Sequence, residues 1–353
     1  MLSKSLHLLL LLPAALRLAF AQTACNNSPD LCQRAYNNIT HLGAHDSPFV
    51  RDASTGYSVS GNQYYNTTVQ LQAGVRLLSA QTQTNTTSGQ LSVCHTSCSL
   101  LDAGTLRSWL REVNTWLVAN PNDVVTVLLV NGASSSAAEI AAEYEAAGIS
   151  RIAYTPTATS ATEEWPSLQS LISNGTRLLN FVATLADNTG APYLMNEFDY
   201  IFENSYQNTA PTDFSCTANR PDSVANNTSI ALASGMMPLM NHFLYDQEAL
   251  FEMPNDTYLA TTNAPSGGVG NLGSSATQCT DEYGRAPTFV LVDFFNVGPA
   301  ISTVDRLNGV TAPVGRTAIS TAVMNESTSG ATMSAGLNVL LCLTVLAIGL
   351  GFA

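Results

Sequence analysis

Positive charge is what this chain most lacks. Lysine and arginine together number 13 against 26 aspartates and glutamates, and the single lysine is Lys4. Charged residues make up 11% of the 353 positions, and there are five histidines and three tryptophans. A basic footprint for nucleic acid is therefore absent. Beyond Lys4 no lysine can serve as a catalytic amine or a phosphate clamp. An acidic surface also argues against electrostatic docking on anionic lipid. No internal repeat is visible, and no glycine-rich turn follows the first strand-like run, which disfavours a dinucleotide-binding sheet.

The two ends read as processing signals. Residues 1–21 carry basic Lys4, a leucine-rich core and the triplet Ala19-Phe20-Ala21, the pattern of a secretory signal cleaved after Ala21. Pro13 and Arg17 interrupt the apolar run, which makes it a poor membrane span. At the other end, Val339–Ala353 is apolar and is followed by no cation. Small residues, a polar spacer and a modest apolar tail form a glycosylphosphatidylinositol (GPI) attachment pattern. Ser327 is the expected attachment residue, with Asn325 and Ser329 as competitors, and 330–353 would be removed. Residues 317–329 read as a Ser/Thr-rich stalk. The mature protein would hang from the outer leaflet at the cell surface. Loss of Lys4 and Arg17 with the signal moves the formal charge from −13 to −15.

Two further features fit that address. Glycosylation sequons occur at Asn26, Asn38, Asn66, Asn85, Asn174, Asn226, Asn227, Asn255 and Asn325. Cys342 lies in the removed tail, which leaves six cysteines for an oxidising compartment. Spacing suggests the pairs Cys25–Cys32, Cys94–Cys98 and Cys216–Cys279, although six cysteines allow about 15 connectivities.

About 290 residues lie between Cys25 and Arg316, suited to one barrel-sized domain over 22–316. Strand-like runs (75–83, 91–95, 123–131, 177–183, 192–202, 236–245, 287–297) alternate with helix-like ones. In the stretch after Leu101, Leu106, Trp109, Leu110, Val113, Trp116 and Leu117 share one helical face, with Thr105 as N-cap. Alternating βα units imply a parallel sheet covered by helices, either a closed barrel or an open doubly wound sheet. Polar loops near 54–66 and 205–232 are long enough to shape an entrance.

In a barrel, reactive side chains sit where strands end. Strand ends supply His45-Asp46, Gln81, His95, Asn131, Glu203, Asn241-His242 and Asp293. Two imidazoles suit a base-then-acid proton relay, and each needs a partner to hold its tautomer. At these residues GAHDSPF, GVRLLSAQTQ, LSVCHTSC and FVLVDFF resemble the X-domain of phosphatidylinositol-specific phospholipase C, in particular the secreted fungal PLC-like phosphodiesterases. The resemblance covers most of 35–310 and is strong from 39 to 131.

That resemblance implies an α/β fold, a distorted TIM (β/α)8 barrel, and metal-independent acid–base cleavage of a phosphodiester to a cyclic product, with no cofactor. By position, His45 would be the general base supported by Asp293, and His95 the general acid partnered by Asp46. Gln81, Asn131, Glu203 and His242 are the candidate substrate contacts. The family pattern departs at two places: Ser79 stands for an aspartate, and Gln81 for an arginine that stabilises charge on phosphorus. A neutral amide offers neither that charge nor its bidentate fork, which leaves weak activity, a different substrate or no activity open.

Three other readings compete. Glu197, Asp199 and Glu203 supply carboxylates for a glycosidase on the same barrel, but read as one strand face they do not flank a scissile bond. A zinc hydrolase would need three converging ligands, and the histidines lack a matched third partner. A catalytically silent surface or carbohydrate-binding barrel would retain only the ancestral pocket. The expected partner is a phosphodiester, of phosphoinositide or GPI type, and the expected state a monomer. His41 and Arg76 read as structural.

Overall fold

A computed structural model describes residues 23–247 and 252–324. The signal segment, Asn325, Ser327 and the apolar tail lie outside the described residues. The described residues form twelve strands: β1 (His41–Ala44), β2 (Leu77–Thr84), β3 (Leu91–His95), β4 (Leu101–Thr105), β5 (Val125–Asn131), β6 (Leu178–Ala183), β7 (Leu194–Asn196), β8 (Ile201–Glu203), β9 (Met237–Asn241), β10 (Tyr245–Gln247), β11 (Glu252–Pro254) and β12 (Phe289–Val292). Eight of them run parallel in the order β7-β6-β5-β2-β1-β12-β9-β8. No ladder joins β7 to β8 among the described residues, so the barrel is open at that seam. The fold is a distorted TIM barrel.

Alternation along the strands divides the core in two. Leu42, Leu78, Val127, Leu129 and Val290 point outward to the helices. Leu77, Leu128, Leu179, Phe181, Leu239 and Leu291 fill the inside. The filling is tight at β1, where a Cβ on Gly43 would lie 2.7 Å from Leu291 and 2.8 Å from Leu77. Only glycine leaves room for both leucines there. The lower end is closed by Tyr36, packed against His41, Trp165 and Phe289. His41 is buried there with Nε2 on the Tyr36 carbonyl, the structural role expected of it. Arg76 pairs with Asp123, likewise structural.

The helix at Leu106–Ala119 buries the six predicted residues, and Thr105 caps it by accepting the Ser108 amide. All three expected disulfides are formed. Several expectations are corrected. Residues 101–105, to which the sequence assigns no element, form a strand antiparallel to β3 ahead of that helix. The run 192–202 is broken by a 3-10 turn at Glu197–Asp199 into β7 and β8. Glu197, Asp199 and Glu203 therefore share no strand face: Glu197 and Glu203 are buried and Asp199 is exposed. β12 stops at Val292, ahead of Phe294, whose φ of 42° turns the chain out of the sheet. The helices at Thr67–Ala73 and Leu272–Tyr283 were signalled only by their Asn66 and Asn271 caps.

The described part of the expected stalk lies on the barrel wall. Val314 exchanges hydrogen bonds with Asn27, and the Thr317 amide donates to the Gln72 carbonyl. Arg316 pairs with both oxygens of Asp305. Asn296 donates to the Ser320 and Ala322 carbonyls, and Met324 packs against the Tyr64–Phe294 cluster. Ile319 gives this strap an apolar underside, which composition alone concealed.

Candidate active site

β1 and β12 are neighbours in register, Ala44 against Val292, so their next residues, His45 and Asp293, leave the sheet side by side. His45 Nδ1 lies 2.9 Å from Asp293 Oδ1. His95 arrives by a different route from the one its strand-end position suggested. β2 outruns the barrel rim, β3 pairs antiparallel with that extension, and the hairpin brings the end of β3 back to the mouth. There Asp46 Oδ2 stands 3.5 Å from His95 Nε2 and 3.8 Å from His45 Nε2. His45, Asp46, His95 and Asp293 thus meet at one mouth.

The surrounding side chains hold this arrangement mainly with carboxamides. Asn62 Nδ2 donates to Asp293 Oδ1 at 3.0 Å and lies 3.3 Å from His45 Nδ1. Gln63 donates to the His45 and Val292 carbonyls and accepts the Phe295 amide. Asn263 donates to the Asp293 carbonyl. Ser79 accepts the Asp46 amide at 2.8 Å. The Phe243 ring stacks on His45 at 3.9 Å, nearly parallel, and Phe49 meets His95 edge-on. Asn62, Gln63, Asn263, Phe49 and Phe243 were not among the sequence candidates. The polar loop 54–66 was the only signal for the first two.

Backbone strain collects here as well. Asp46 (φ 47°), Thr96 (φ 57°) and Phe294 (φ 42°) occupy the left-handed region, and each is one of the four residues or follows one. Such conformations cost on the order of 1–3 kcal/mol each and persist only where the surroundings enforce them.

The two rings differ in basicity. Burial pulls the His45 pKa down, but the charges of Asp46 and Asp293, the Asp293 hydrogen bond and the field of Glu203 outweigh it, leaving the ring more basic than usual. Burial lowers the His95 pKa, and His45 adds to that, against the opposing pull of Asp46 and Asp293. The contact with Asp293 places the Nδ1 proton of His45 and leaves Nε2 as the site that can accept one.

The other candidates are differently employed. Gln81 has both ends occupied, by Asp46 Oδ2 at 2.8 Å and the Thr96 amide at 2.9 Å. Asn131 bonds Ser135 through both amide atoms and closes its own loop. His242 is fully buried under Phe214, with Nε2 on the Thr262 carbonyl, and burial lowers its pKa to about 4. Glu203 accepts from Arg220 and Asn241 inside the barrel. Neighbouring Glu197 has its pKa raised well above the usual carboxylate range, by burial first and Glu203 second. None of these four is free for a ligand as expected; burial and local pairing have claimed them.

Residues 31–308 match the PI-PLC X domain family model. An uncharacterized secreted protein of Arthroderma benhamiae is 37% identical over 298 residues, 81% of this chain and 64% of that protein. A PI-PLC X domain-containing protein 1 of the same organism is 36% identical over 287 residues, covering 81% of this chain and 90% of that one. Among solved structures, the phosphatidylinositol-specific phospholipase C of Listeria monocytogenes superposes with a TM-score of 0.51 at 15% identity, covering 79% of this chain and 95% of that chain. The S. aureus enzyme gives 0.50 at 16% identity, with 81% and 97% covered. At such identities these superpositions speak to the fold alone. Matched by the family model over most of its length and by a relative at more than a third identity, the chain belongs to the PI-PLC X domain family.

Proposed function

We propose that this protein is a secreted, surface-attached phosphodiesterase that cleaves an inositol-type phosphodiester by a two-histidine relay. The observation that carries the reading is the shared carboxylate: Asp46 Oδ2 lies between the Nε2 atoms of His45 and His95, and His45 is backed by Asp293. His45 Nε2 takes the proton of a headgroup hydroxyl, whose oxygen forms a new bond to phosphorus. The bond from phosphorus to the leaving alkoxide breaks, and His95 Nε2 gives that oxygen a proton. A cyclic phosphodiester and an alcohol result, with no water consumed. Secretion is supported by the leader pattern and by the printed name of the first relative. GPI attachment at Ser327 rests on the tail pattern.

The protein's own groups set the two rings against this order. They make His45 the more basic ring and His95 the less basic one, while the relay uses a free His45 and a protonated His95. A phosphodiester anion beside His95 raises its affinity for a proton. Turnover is then slow, because only a minor protonation state is productive. With a neutral residue at position 81, a silent barrel is the second reading. The deciding experiment incubates the glycosylated ectodomain with phosphatidylinositol and soluble inositol diesters and follows cyclic phosphate by phosphorus NMR. Product formed by wild type and lost in His45→Ala and His95→Ala supports the relay. Equal inertness of all three folded proteins transfers the assignment to the silent barrel.

A further inference from the structure

Position 81 faces the mouth, yet its side chain is turned onto the protein. Gln81 Nε2 donates to Asp46 Oδ2 at 2.8 Å, and Oε1 accepts the Thr96 amide at 2.9 Å. The amide orientation is fixed by chemistry, since a carboxylate only accepts and a backbone N–H only donates. We infer that Gln81 is a positioning residue whose amide ties the Asp46 carboxylate to the His95 loop and keeps that carboxylate shared between the two imidazoles. This rests on the relay reading for its consequence, though not for its geometry.

Glutamine satisfies both ends, and neither charged replacement does. Arginine can donate to Asp46 but has nothing to accept the Thr96 N–H, and glutamate can accept from Thr96 but cannot donate to Asp46. The Thr96 end matters because Thr96 follows His95 directly, with φ of 57°, inside the loop closed by Cys94–Cys98. The Asp46 end matters because of distance. Charge-assisted N–H···O bonds settle near 2.7–2.9 Å, whereas Asp46 Oδ2 stays 3.5 Å and 3.8 Å from the two rings. Tethered by Gln81 and by the Ser79 bond to its own amide, Asp46 collapses onto neither ring. Collapse would fix a proton on one histidine and withdraw support from the other.

The test reads the histidines themselves, by NMR titration of the folded glycosylated ectodomain as wild type, Gln81→Met, Gln81→Glu and Gln81→Arg, alongside pH–rate profiles. Charges facing His45 are Asp46, Asp293 and Glu203, and those facing His95 are Asp46, His45 and Asp293; Gln81→Met leaves all of them unaltered, while the Glu and Arg variants each add a charge beside Asp46. In Gln81→Met the released carboxylate should raise the titration point of at least one ring by about 0.5–1 pH unit. kcat should fall about tenfold to a hundredfold, with KM changed less than kcat. Gln81→Glu, which retains the Thr96 contact, should raise both titration points and is the second test if the methionine variant does not fold. Gln81→Arg should not exceed wild-type turnover. Unmoved titration points in both Met and Glu variants, or an arginine variant faster than wild type, would overturn the assignment. Inertness of every protein on every diester would remove the relay while the titrations still decide the clamp.

Discussion

His45 and Asp293 stand 248 residues apart in the chain, and their side chains meet at 2.9 Å because β1 and β12 are parallel neighbours in register. That bond holds the Nδ1 proton of His45 against a carboxylate and turns Nε2 toward the mouth.

Asp293→Asn should therefore be disabling. An amide at that place can present the wrong group to Nδ1, and loss of the corresponding carboxylate in serine-protease triads costs about 10⁴ in kcat. The expected fall in kcat is on the order of 10²–10⁴, with circular dichroism unchanged. Removing a charge that raises the His45 pKa should also move the basic limb of kcat/KM, which the more basic ring sets, to lower pH.

Acid should destabilise the fold through two buried histidines outside the proposed relay. Burial holds both His41 and His242 at a pKa of about 4, against an ordinary value of 6.5. The unfolded chain then binds more protons, so their stabilisation is present above about pH 6.5 and is lost as pH falls toward 4. Each contributes on the order of 1–3 kcal/mol. His45 has the opposite sign: its raised pKa stabilises below about pH 6.5, an effect lost as pH rises through the folded value. Urea unfolding should give a lower stability at pH 5 than at pH 7. A flat profile across that interval would contradict the burial argument.

The strap should be stabilising and coupled to the site. Asn296 lies three residues after Asp293 and donates to the Ser320 and Ala322 carbonyls. Its replacement by alanine should cost about 1–2 kcal/mol, the net worth of the two hydrogen bonds lost. Ending the chain at Arg316 should cost more, because it strips Ile319 from its packing against the main core and removes one wall of the groove of about 250 Å³ that Ile319 lines with Ala73, Phe295 and Ile301. Thermal unfolding measures both, and unaltered midpoints would show the strap to be incidental.

Glycan mapping should find Asn26 unoccupied. Its amide is buried and exchanges hydrogen bonds with the backbone of Val124, at 3.1 Å and 2.7 Å. Asn38, Asn66 and Asn174 are exposed and should carry glycans, as should one of the adjacent pair Asn226 and Asn227. Peptide mass spectrometry showing a glycan on Asn26 would mean that the N-terminal segment adopts another arrangement.

What the sequence determined is what depends on near neighbours and on strong patterns. The apolar runs of β5 and β6, the helical face from Leu106 to Leu117 with its Thr105 cap, and the short-range cysteine pairs could all be read from spacing. His45-Asp46 and Asp293 were legible because a charged group at the end of an apolar strand must find a partner when buried. Tertiary structure decided the rest. The break between β7 and β8, the return of His95 on an antiparallel hairpin and the docking of 317–324 each depend on which surface another segment leaves open. Whether a carboxamide faces a ligand or the protein is likewise invisible in one dimension. Asn131, Gln81, Asn62 and Gln63 are uncharged and polar in any alphabet of residue types, and hydrogen bonds have a reach of about 3 Å. Closure of the barrel chose their partners, and with them which residues are free to do chemistry.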